Sequence, residues 1–298
     1  MSGGTDREPK ASPYQIAAFT RAARTRSFSK AASEMGVTQS SVTQHVAKLE
    51  ALMGTRLFLR RREGLELTRA GRDLFEVSDR LGTLEQIVAE KVASYGALGA
   101  GQLTVIANAP RPTMPILERY ARLYPGVQIE FGLYRWQEAM RRLIEREVDI
   151  AMVTEPTLTP DLHGREIERT RYLAVMRSDH PLAGRDRVSL AELAAHPVIL
   201  PEDGSLTQRV VRRALEVRGK AFSQVVKIWT FPVVKEAILH GVGLGILLEN
   251  SLAPSNRLVW IPIDEMPETY RNFVVTPADR RELRLVRSFF EVAFDRVD

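Results

Sequence analysis

Between residues 13 and 54, apolar positions recur at helical spacing in three short runs. Ile16, Phe19 and Ala23 predict a helix from Pro13 to about Arg26. Ser27 offers an N-cap for a second helix through Met35, which Gly36 stops. After the turn Gly36-Val37-Thr38, a third helix is expected from about Gln39 to Met53, ending at Gly54. Two short helices joined by a tight glycine-containing turn make a helix-turn-helix pattern. On the third helix Val42, Val46, Leu49 and Met53 form an apolar stripe expected to pack on the first two. The opposite face carries Ser41, Gln44, His45 and Lys48, with Gln39, Ser40 and Thr43 towards its start. Almost free of acids, that face suits hydrogen bonds to base edges and phosphates in a major groove.

Alternating apolar residues in Leu57-Phe58-Leu59 and Leu65-Glu66-Leu67 flank a Glu63-Gly64 turn and predict a two-stranded wing. Arg60, Arg61 and Arg62 at its tip would meet phosphates or a minor groove. From Arg69 to about Tyr95 no proline occurs, and Leu74, Val77, Leu81, Leu84, Val88, Lys91 and Tyr95 alternate at spacings of three and four. Such a seam calls for burial against the same helix of a second subunit, the alternative being a core helix of the next domain. The glycine- and alanine-rich run 96–101 then reads as a hinge.

Beyond it, strand and helix patterns alternate. Strands are expected at 102–108, 127–133, 148–154, 171–177, 197–201, 225–230, 243–248, 257–263 and 271–276. Helices are expected at 112–124, 136–147, 189–195, 205–219, 232–240 and 279–295. This is α/β with mostly parallel sheets. The last strand and helix follow a long middle section, so the C-terminus is expected to return to the first lobe.

Composition narrows the function. The 298 residues suit two or three domains, and 44% hydrophobic with 27% charged residues fits a globular protein. With no cysteine, disulfides, thiolate catalysis and cysteine-ligated metal sites are excluded. The polar start MSGGTDREPKASP is not a signal peptide, and no apolar run is long enough to span a bilayer, so a cytoplasmic protein without a membrane partner is expected. Residues 1–68 hold eleven Lys/Arg against six Asp/Glu, a net +5 that equals the net charge of the whole chain. A basic N-terminal lobe on a neutral body points to a polyanion.

An enzyme is the rival class. The run Gly241-Val242-Gly243-Leu244-Gly245 superficially suggests dinucleotide binding, but a helix precedes it and a strand follows, the reverse of that fingerprint. His45, His163, His180, His196 and His240 are scattered, and neither a nucleophile elbow nor a phosphate-binding Gly-Lys-Ser/Thr loop occurs. No catalytic residue, metal or cofactor is expected. A general DNA binder without an effector is the third reading, and the hinge and two-lobed body argue against it.

The run 27–74 resembles the winged helix-turn-helix of LysR-type transcriptional regulators. The residues that carry the likeness are Ser27-Phe28 with Ala31-Ala32, Thr38-Gln39-Ser40-Ser41, and Leu49-Glu50 with Met53-Gly54. Leu57-Phe58 with Arg60, and Leu67-Thr68 with Ala70-Gly71, complete it. Tyr124-Pro125-Gly126-Val127, Val148-Asp149-Ile150-Ala151 and the run 241–246 extend the likeness to the end of the chain.

The resemblance implies a disordered extension 1–12, a winged helix-turn-helix 13–68, a dimerising linker helix 69–97, a hinge 98–102 and an effector domain 103–298. That domain would resemble periplasmic binding proteins, with lobe I 103–168 and 273–298 and lobe II 169–272. Implied DNA contacts are Ser27, Ser29, Gln39, Ser40, Ser41, Thr43, Gln44, His45, Lys48, Arg60, Arg61 and Arg62. Implied effector contacts are Asn108, Ala109, Arg111, Thr113, Trp136, Thr154, Glu202, Ser205 and Phe231. They fall where strands end and helices begin, which suits an anion.

Asn108 and Trp136 stand where the family usually has Ser or Thr. This implies an effector other than its simplest aromatic carboxylates. The stretch Tyr270–Glu291 is similar to members associated with aminoethylphosphonate use, and Arg111 suits a phosphonate or carboxylate. Implied partners are double-stranded promoter DNA, a small anionic effector, RNA polymerase, and further copies of the chain in a homodimer or homotetramer.

Overall fold

The computed structural model describes residues 10–61, 64–92, 101–201, 204–249 and 251–295. The chain divides into two compact units, Met1–Tyr95 and Gly96–Asp298.

The first unit opens with α1 (Pro13–Thr25), α2 (Phe28–Met35) and α3 (Gln39–Met53). Ser12 belongs to the fold rather than to an extension. It caps α1 in a reciprocal box with Gln15, and Pro13 fills the first helical position, where no N–H is needed. Ser27 and Thr38 cap α2 and α3 by accepting from Lys30 N and Ser41 N. Phe19, Ala22, Ala31, Val42, Val46 and Leu49 close the three-helix core with Leu57 and Phe58. Met53, expected in that stripe, is exposed: it sits in the last turn of α3, past the end of the cluster.

The wing forms from β1 (Phe58–Arg61) and β2 (Gly64–Leu67), antiparallel, with Arg61 opposite Gly64. Arg62 and the Arg60 side chain lie outside the described residues. Next comes α4 (Arg69–Val92). Thr68 caps it, its hydroxyl accepting from Gly71 N at 3.0 Å. A Cβ on Gly71 would stand 2.2 Å from the Leu57 carbonyl oxygen, so only glycine lets α4 start there.

One face of α4 packs on α1 with polar contacts: Thr20 Oγ1 to Ser78 Oγ at 2.8 Å, and Arg24 Nε to Asp79 Oδ1 at 2.5 Å. The other face leaves Val77, Leu81, Leu84, Val88 and Val92 exposed. Leu74 departs from the expected seam. It is half-buried against the first unit's own core, because the N-terminal turns of α4 lie over that core. The rest of the expected linker after Val92, and the hinge up to residue 100, fall outside the described residues.

The second unit begins with β3 (Gly101–Ala107). Gly101 and Gln102 are therefore strand rather than hinge, with Gly101 opposite Val127. The order continues α5 (Thr113–Leu123), β4 (Val127–Leu133), α6 (Trp136–Ile144), β5 (Ile150–Thr154), β6 (Leu162–Arg177), α7 (Leu190–Leu193), β7 (Val198–Leu200), α8 (Leu206–Glu216) and β8 (Val225–Lys227). It closes with α9 (Phe231–Leu239), β9 (Leu244–Leu248), β10 (Leu258–Pro262), β11 (Thr269–Pro277) and α10 (Arg284–Phe294). Among the described residues the strands run β4-β3-β5-β11-β6-β9-β7-β8, and β10 also pairs with β6.

The sheet is mixed rather than mostly parallel. Parallel pairs (β3 with β4 and β5, β7 with β8 and β9) occupy its two ends. Between them β11 and β6 run antiparallel to each other and to the strands beside them. The parallel pairs are joined by helical crossovers, whereas β6 and β11 carry the chain out of one lobe and back. Core clusters lie on either side, one around Ile106, Leu143 and Val153, others around Tyr172, Leu200 and Ile246 and around Val175, Ile199 and Leu247.

Strand β6 starts at Leu162, nine residues before the sequence pattern predicts it. Its first half, LHGREIERT, keeps charged side chains in water on a half-solvated antiparallel strand, so no apolar run marks it. The final helix is also shorter than expected: a 3₁₀ turn (Ala278–Arg280) precedes it, and the extended Leu283 separates the two. The C-terminal helix returns as expected, its Ser288 Oγ 3.0 Å from Tyr120 Oη on α5.

Candidate functional site

On the first unit, α3 presents Gln39, Ser40, Gln44 and Lys48 to solvent, with Ser41, Thr43 and His45 half-buried beside them. Among the described residues the side chains of Gln39, Gln44 and Lys48 have no partner inside the protein, so their donors are free for an outside acceptor. Other groups on this face are partly committed. Thr43 Oγ1 donates to Gln39 O at 2.9 Å, Ser40 Oγ and Thr38 Oγ1 are 2.9 Å apart, and the His45 ring stacks on Tyr14 at 6.4 Å. Ser29 is exposed on the first turn of α2, while the hydroxyl of Ser27 serves as its cap. On the wing, Arg61 is not a free tip charge: its Nε is 2.9 Å from Glu66 Oε2, across the hairpin on an exposed face. Such a surface pair is worth about 0–1 kcal/mol and opens readily to a phosphate.

On the second unit, three expected residues converge from separate elements. Asn108 follows β3, Thr154 ends β5 and Trp136 opens α6. Asn108 Oδ1 accepts from Thr154 N at 3.3 Å, and Trp136 Nε1 donates to Thr154 O at 2.8 Å. Parallel neighbours β3 and β5 bring the first two together, at the carboxyl ends of strands where open α/β sheets bind ligands. Not all of these groups keep a free donor. The Trp136 N–H is spent on Thr154, so that residue contributes its ring. Thr154 is buried and gives its hydroxyl proton to Asn272 Oδ1 at 2.6 Å. Asn108 keeps its Nδ2 uncommitted among the described residues.

Sequence reading missed the support beneath. Asn272 Nδ2 donates to Glu168 Oε1 at 2.9 Å, so Asn272 and Glu168 hold Thr154 from two crossing strands. Neither stands in a motif, and 118 residues separate Asn272 from Thr154, so no local signal existed.

Ser205 caps α8, its hydroxyl accepting from Gln208 N at 3.1 Å, and Phe231 begins α9, half-buried against the lobe core. The two lobes approach here. The Arg209 guanidinium lies 6.0 Å from the Trp136 ring centroid, and that of Arg135 lies 5.5 Å from Trp229. These two arginines, also missed, bring positive charge beside the Trp136 and Ser205 elements. Glu202 lies outside the described residues.

Two expected contacts sit elsewhere. Thr113 is fully buried, its hydroxyl turned to Ala109 O at 3.5 Å, and Met114 N is taken by Pro110 O, so the start of α5 closes on its own loop. Arg111 lines a separate recess formed with Arg119 on α5 and Ile167 on β6. The glycine run 241–245 serves packing. Gly241 ends α9 at φ 74°, and a Cβ on Gly243 would stand 2.5 Å from Pro197 O.

A winged helix-turn-helix with an open polar face, followed by a two-lobed α/β body with residues converging at its strand ends, defines an effector-responsive DNA-binding regulator. Residues 13–72 match the family described as bacterial regulatory helix-turn-helix protein, lysR family, and residues 97–298 match the LysR substrate binding domain. The RuBisCO operon transcriptional regulator of Allochromatium vinosum is 25% identical over 276 residues, covering 90% of each chain. A full-length OxyR point variant from Pseudomonas aeruginosa matches the fold with a TM-score of 0.80 at 16% identity, over 96% of this chain and 95% of that one. The CcmR regulatory domain of Synechocystis PCC6803, in complex with 2-PG, matches with a TM-score of 0.55 at 23% identity, over 65% of this chain and 95% of that one.

The chain belongs to the LysR family of transcriptional regulators. It is a DNA-binding regulator with a small-molecule effector domain, and its relatives are regulators, not enzymes. Among the described residues no helix is long and apolar enough to cross a membrane.

Proposed function

We propose that a small anionic effector, a phosphonate, phosphate ester or carboxylate, controls how this regulator binds its promoter. It sits between the lobes at Asn108, Trp136, Thr154, Ser205 and Phe231. The observation that carries this reading is the meeting of Asn108, Trp136 and Thr154 at strand ends, with Arg209 over the Trp136 ring and Arg135 at Trp229. Two guanidinium groups and the free Asn108 amide favour negative charge, while the Trp136 and Phe231 rings accept an apolar body. The 2-PG named with the CcmR domain, and the aminoethylphosphonate suggested by the Tyr270–Glu291 stretch, both belong to this class.

An effector gripped by both lobes favours one closure, and the segment after α4 passes that bias to a DNA-binding dimer, two of which make a tetramer. A ligand with equal affinity for both closures would regulate nothing. On DNA, Gln39, Ser40, Ser41, Thr43, Gln44 and His45 read bases, while Ser27, Ser29, Lys48 and Arg60 to Arg62 hold phosphates. The regulator works in the cytoplasm with RNA polymerase.

The test is calorimetry of the full chain against 2-aminoethylphosphonate, 2-PG and aromatic and aliphatic carboxylates, with neutral and cationic controls. Binding of at least one anion is expected, weakened at least tenfold by Asn108→Ala combined with Thr154→Val. Binding by neutral or cationic compounds alone, or affinity that survives the double substitution, would overturn the assignment.

A further inference from the structure

Three consecutive residues at the start of α6 reach across to the other lobe. The Arg135 guanidinium lies 5.5 Å from the ring centroid of Trp229, in the segment between β8 and α9. The Trp136 ring lies under the Arg209 guanidinium of α8, with 6.0 Å to its centroid. A Cβ placed on Gly204, just before α8, would stand 3.6 Å from Gln137 Nε2. Each lobe thus lends the other one cation and one ring. We propose that these two reciprocal arginine–tryptophan contacts form a clasp that holds the lobes together without an effector.

The chemistry of the four side chains supports it. Arg135, Arg209 and Trp229 are all exposed, so none is fixed in place by burial in a core. Arg209 donates to Gly204 O at 3.3 Å and meets no carboxylate among the described residues, so its charge faces the Trp136 ring. A guanidinium is planar and weakly hydrated, and it stacks on aromatic faces more readily than an ammonium does. Tryptophan is the strongest ring acceptor of a cation within about 6 Å. At an exposed site each such contact favours the joined lobes by about two- to fivefold, and the two multiply to about five- to thirtyfold.

The regulatory consequence rests on the reading of the cleft as an anion site. There the clasp is made from the same arginines that an anion would engage. A charge-assisted hydrogen bond to an anion is stronger than a cation–π contact in water, so a bound anion draws the guanidinium groups off the rings. The contacts given up lower the apparent affinity by the factor with which they favour the clasped state. The clasp therefore sets how much effector is needed. Trp229, which touches the cleft only through Arg135, tunes that threshold without contributing to anion binding.

The test is pulsed electron paramagnetic resonance on the full-length protein without effector. The chain has no cysteine, so Ile144→Cys on α6 and Glu236→Cys on α9, both exposed, place one nitroxide on each lobe. Dilution with unlabelled protein restricts the measured distances to pairs within one chain. A dominant short distance is expected. Trp229→Leu and Arg209→Gln should each raise the ratio of a longer-distance population to the short one by about two- to fivefold, and the combined variant by about five- to thirtyfold. Trp229→Phe keeps a ring face and should stay nearer the unaltered protein than Trp229→Leu, which keeps only apolar bulk. A distribution unchanged in the combined variant, or equal opening by Trp229→Phe and Trp229→Leu, would overturn the proposal. So would a long distance that already dominates in the unaltered protein. No effector enters the measurement, so its failure would leave the anion reading standing, and a failed anion titration would leave the clasp standing.

Discussion

Arg24 on α1 donates to the fully buried carboxylate of Asp79 on α4 at 2.5 Å, tying the helix-turn-helix to the long helix that follows it. The Thr20–Ser78 hydrogen bond lies one turn away and strengthens the same joint. Removing one partner of a buried ion pair strands the other charge, at about 3–5 kcal/mol. Asp79→Ala should therefore lower the urea midpoint of the protein markedly. An Arg24→Ala, Asp79→Ala double variant should lose less than the sum of the two singles. Additive losses in urea titrations would show that the pair is not coupled.

Base reading and phosphate holding separate by their dependence on sequence and salt. Gln39→Ala should cost about 1–3 kcal/mol on the operator and little on random DNA of equal length. Arg61→Ala should weaken both and flatten the slope of affinity against salt if Arg61 holds a phosphate as proposed, since in the protein it gives up only a surface pair with Glu66. Equal losses on the two DNAs for Gln39→Ala, measured by fluorescence anisotropy, would rule out base reading by that residue.

Val77, Leu81, Leu84 and Val88 are all exposed on one face of α4, a row that water does not favour. Leu81→Arg should give monomers with an intact fold and poor operator affinity, because two half-sites need a dimer to hold them. Sedimentation at micromolar concentration decides: an unaltered protein that is monomeric there would contradict the pairing of these helices.

Glu138 on α6 bonds to Arg141 and Arg142, which hold its carboxyl at about 2 rather than 4.5. In the unfolded chain that carboxyl takes up its proton first as pH falls, so its contribution is complete above about 4.5 and is lost between there and about 2. The side chain is 35% exposed, so solvent screening keeps the effect to about 1 kcal/mol or less. Glu138→Gln should shrink the difference between urea midpoints at pH 6 and pH 3. An unchanged difference would remove Glu138 from the acid response.

What could be read in the sequence depended on whether burial left a local trace. Helices α1 to α3 carried caps, glycine stops and an apolar stripe, so their bounds followed from a few residues each. On α4 the period exposed the seam but not the face packed on α1, because beyond Phe75 the residues buried there are Ser78, Asp79 and Thr83 rather than apolar ones. The first half of β6 was invisible for the converse reason, being charged where it faces water. In the cleft, Asn108, Trp136 and Thr154 were expected from the family resemblance, and the ends of β3 and β5 and the start of α6 bring them together. Thr113 and Arg111 stood at an equally good place, but the Ala109–Pro112 turn directs one inward and the other into the recess. Asn272 and Glu168 belong to a contact between distant strands and left no local pattern.

The outward path of β6 and the return through β11 also order events during synthesis. The first unit is contiguous in sequence and can fold as soon as α4 has left the ribosome. The lobe that holds Asn108 and Thr154 lacks a central strand and its α10 cover until β11 and α10 are made. A nascent chain that stalled or was cut before β11 would thus present a finished DNA-binding head on a body unable to sense anything. For this regulator, the emergence of β11 and α10 is the point at which response to a signal becomes possible.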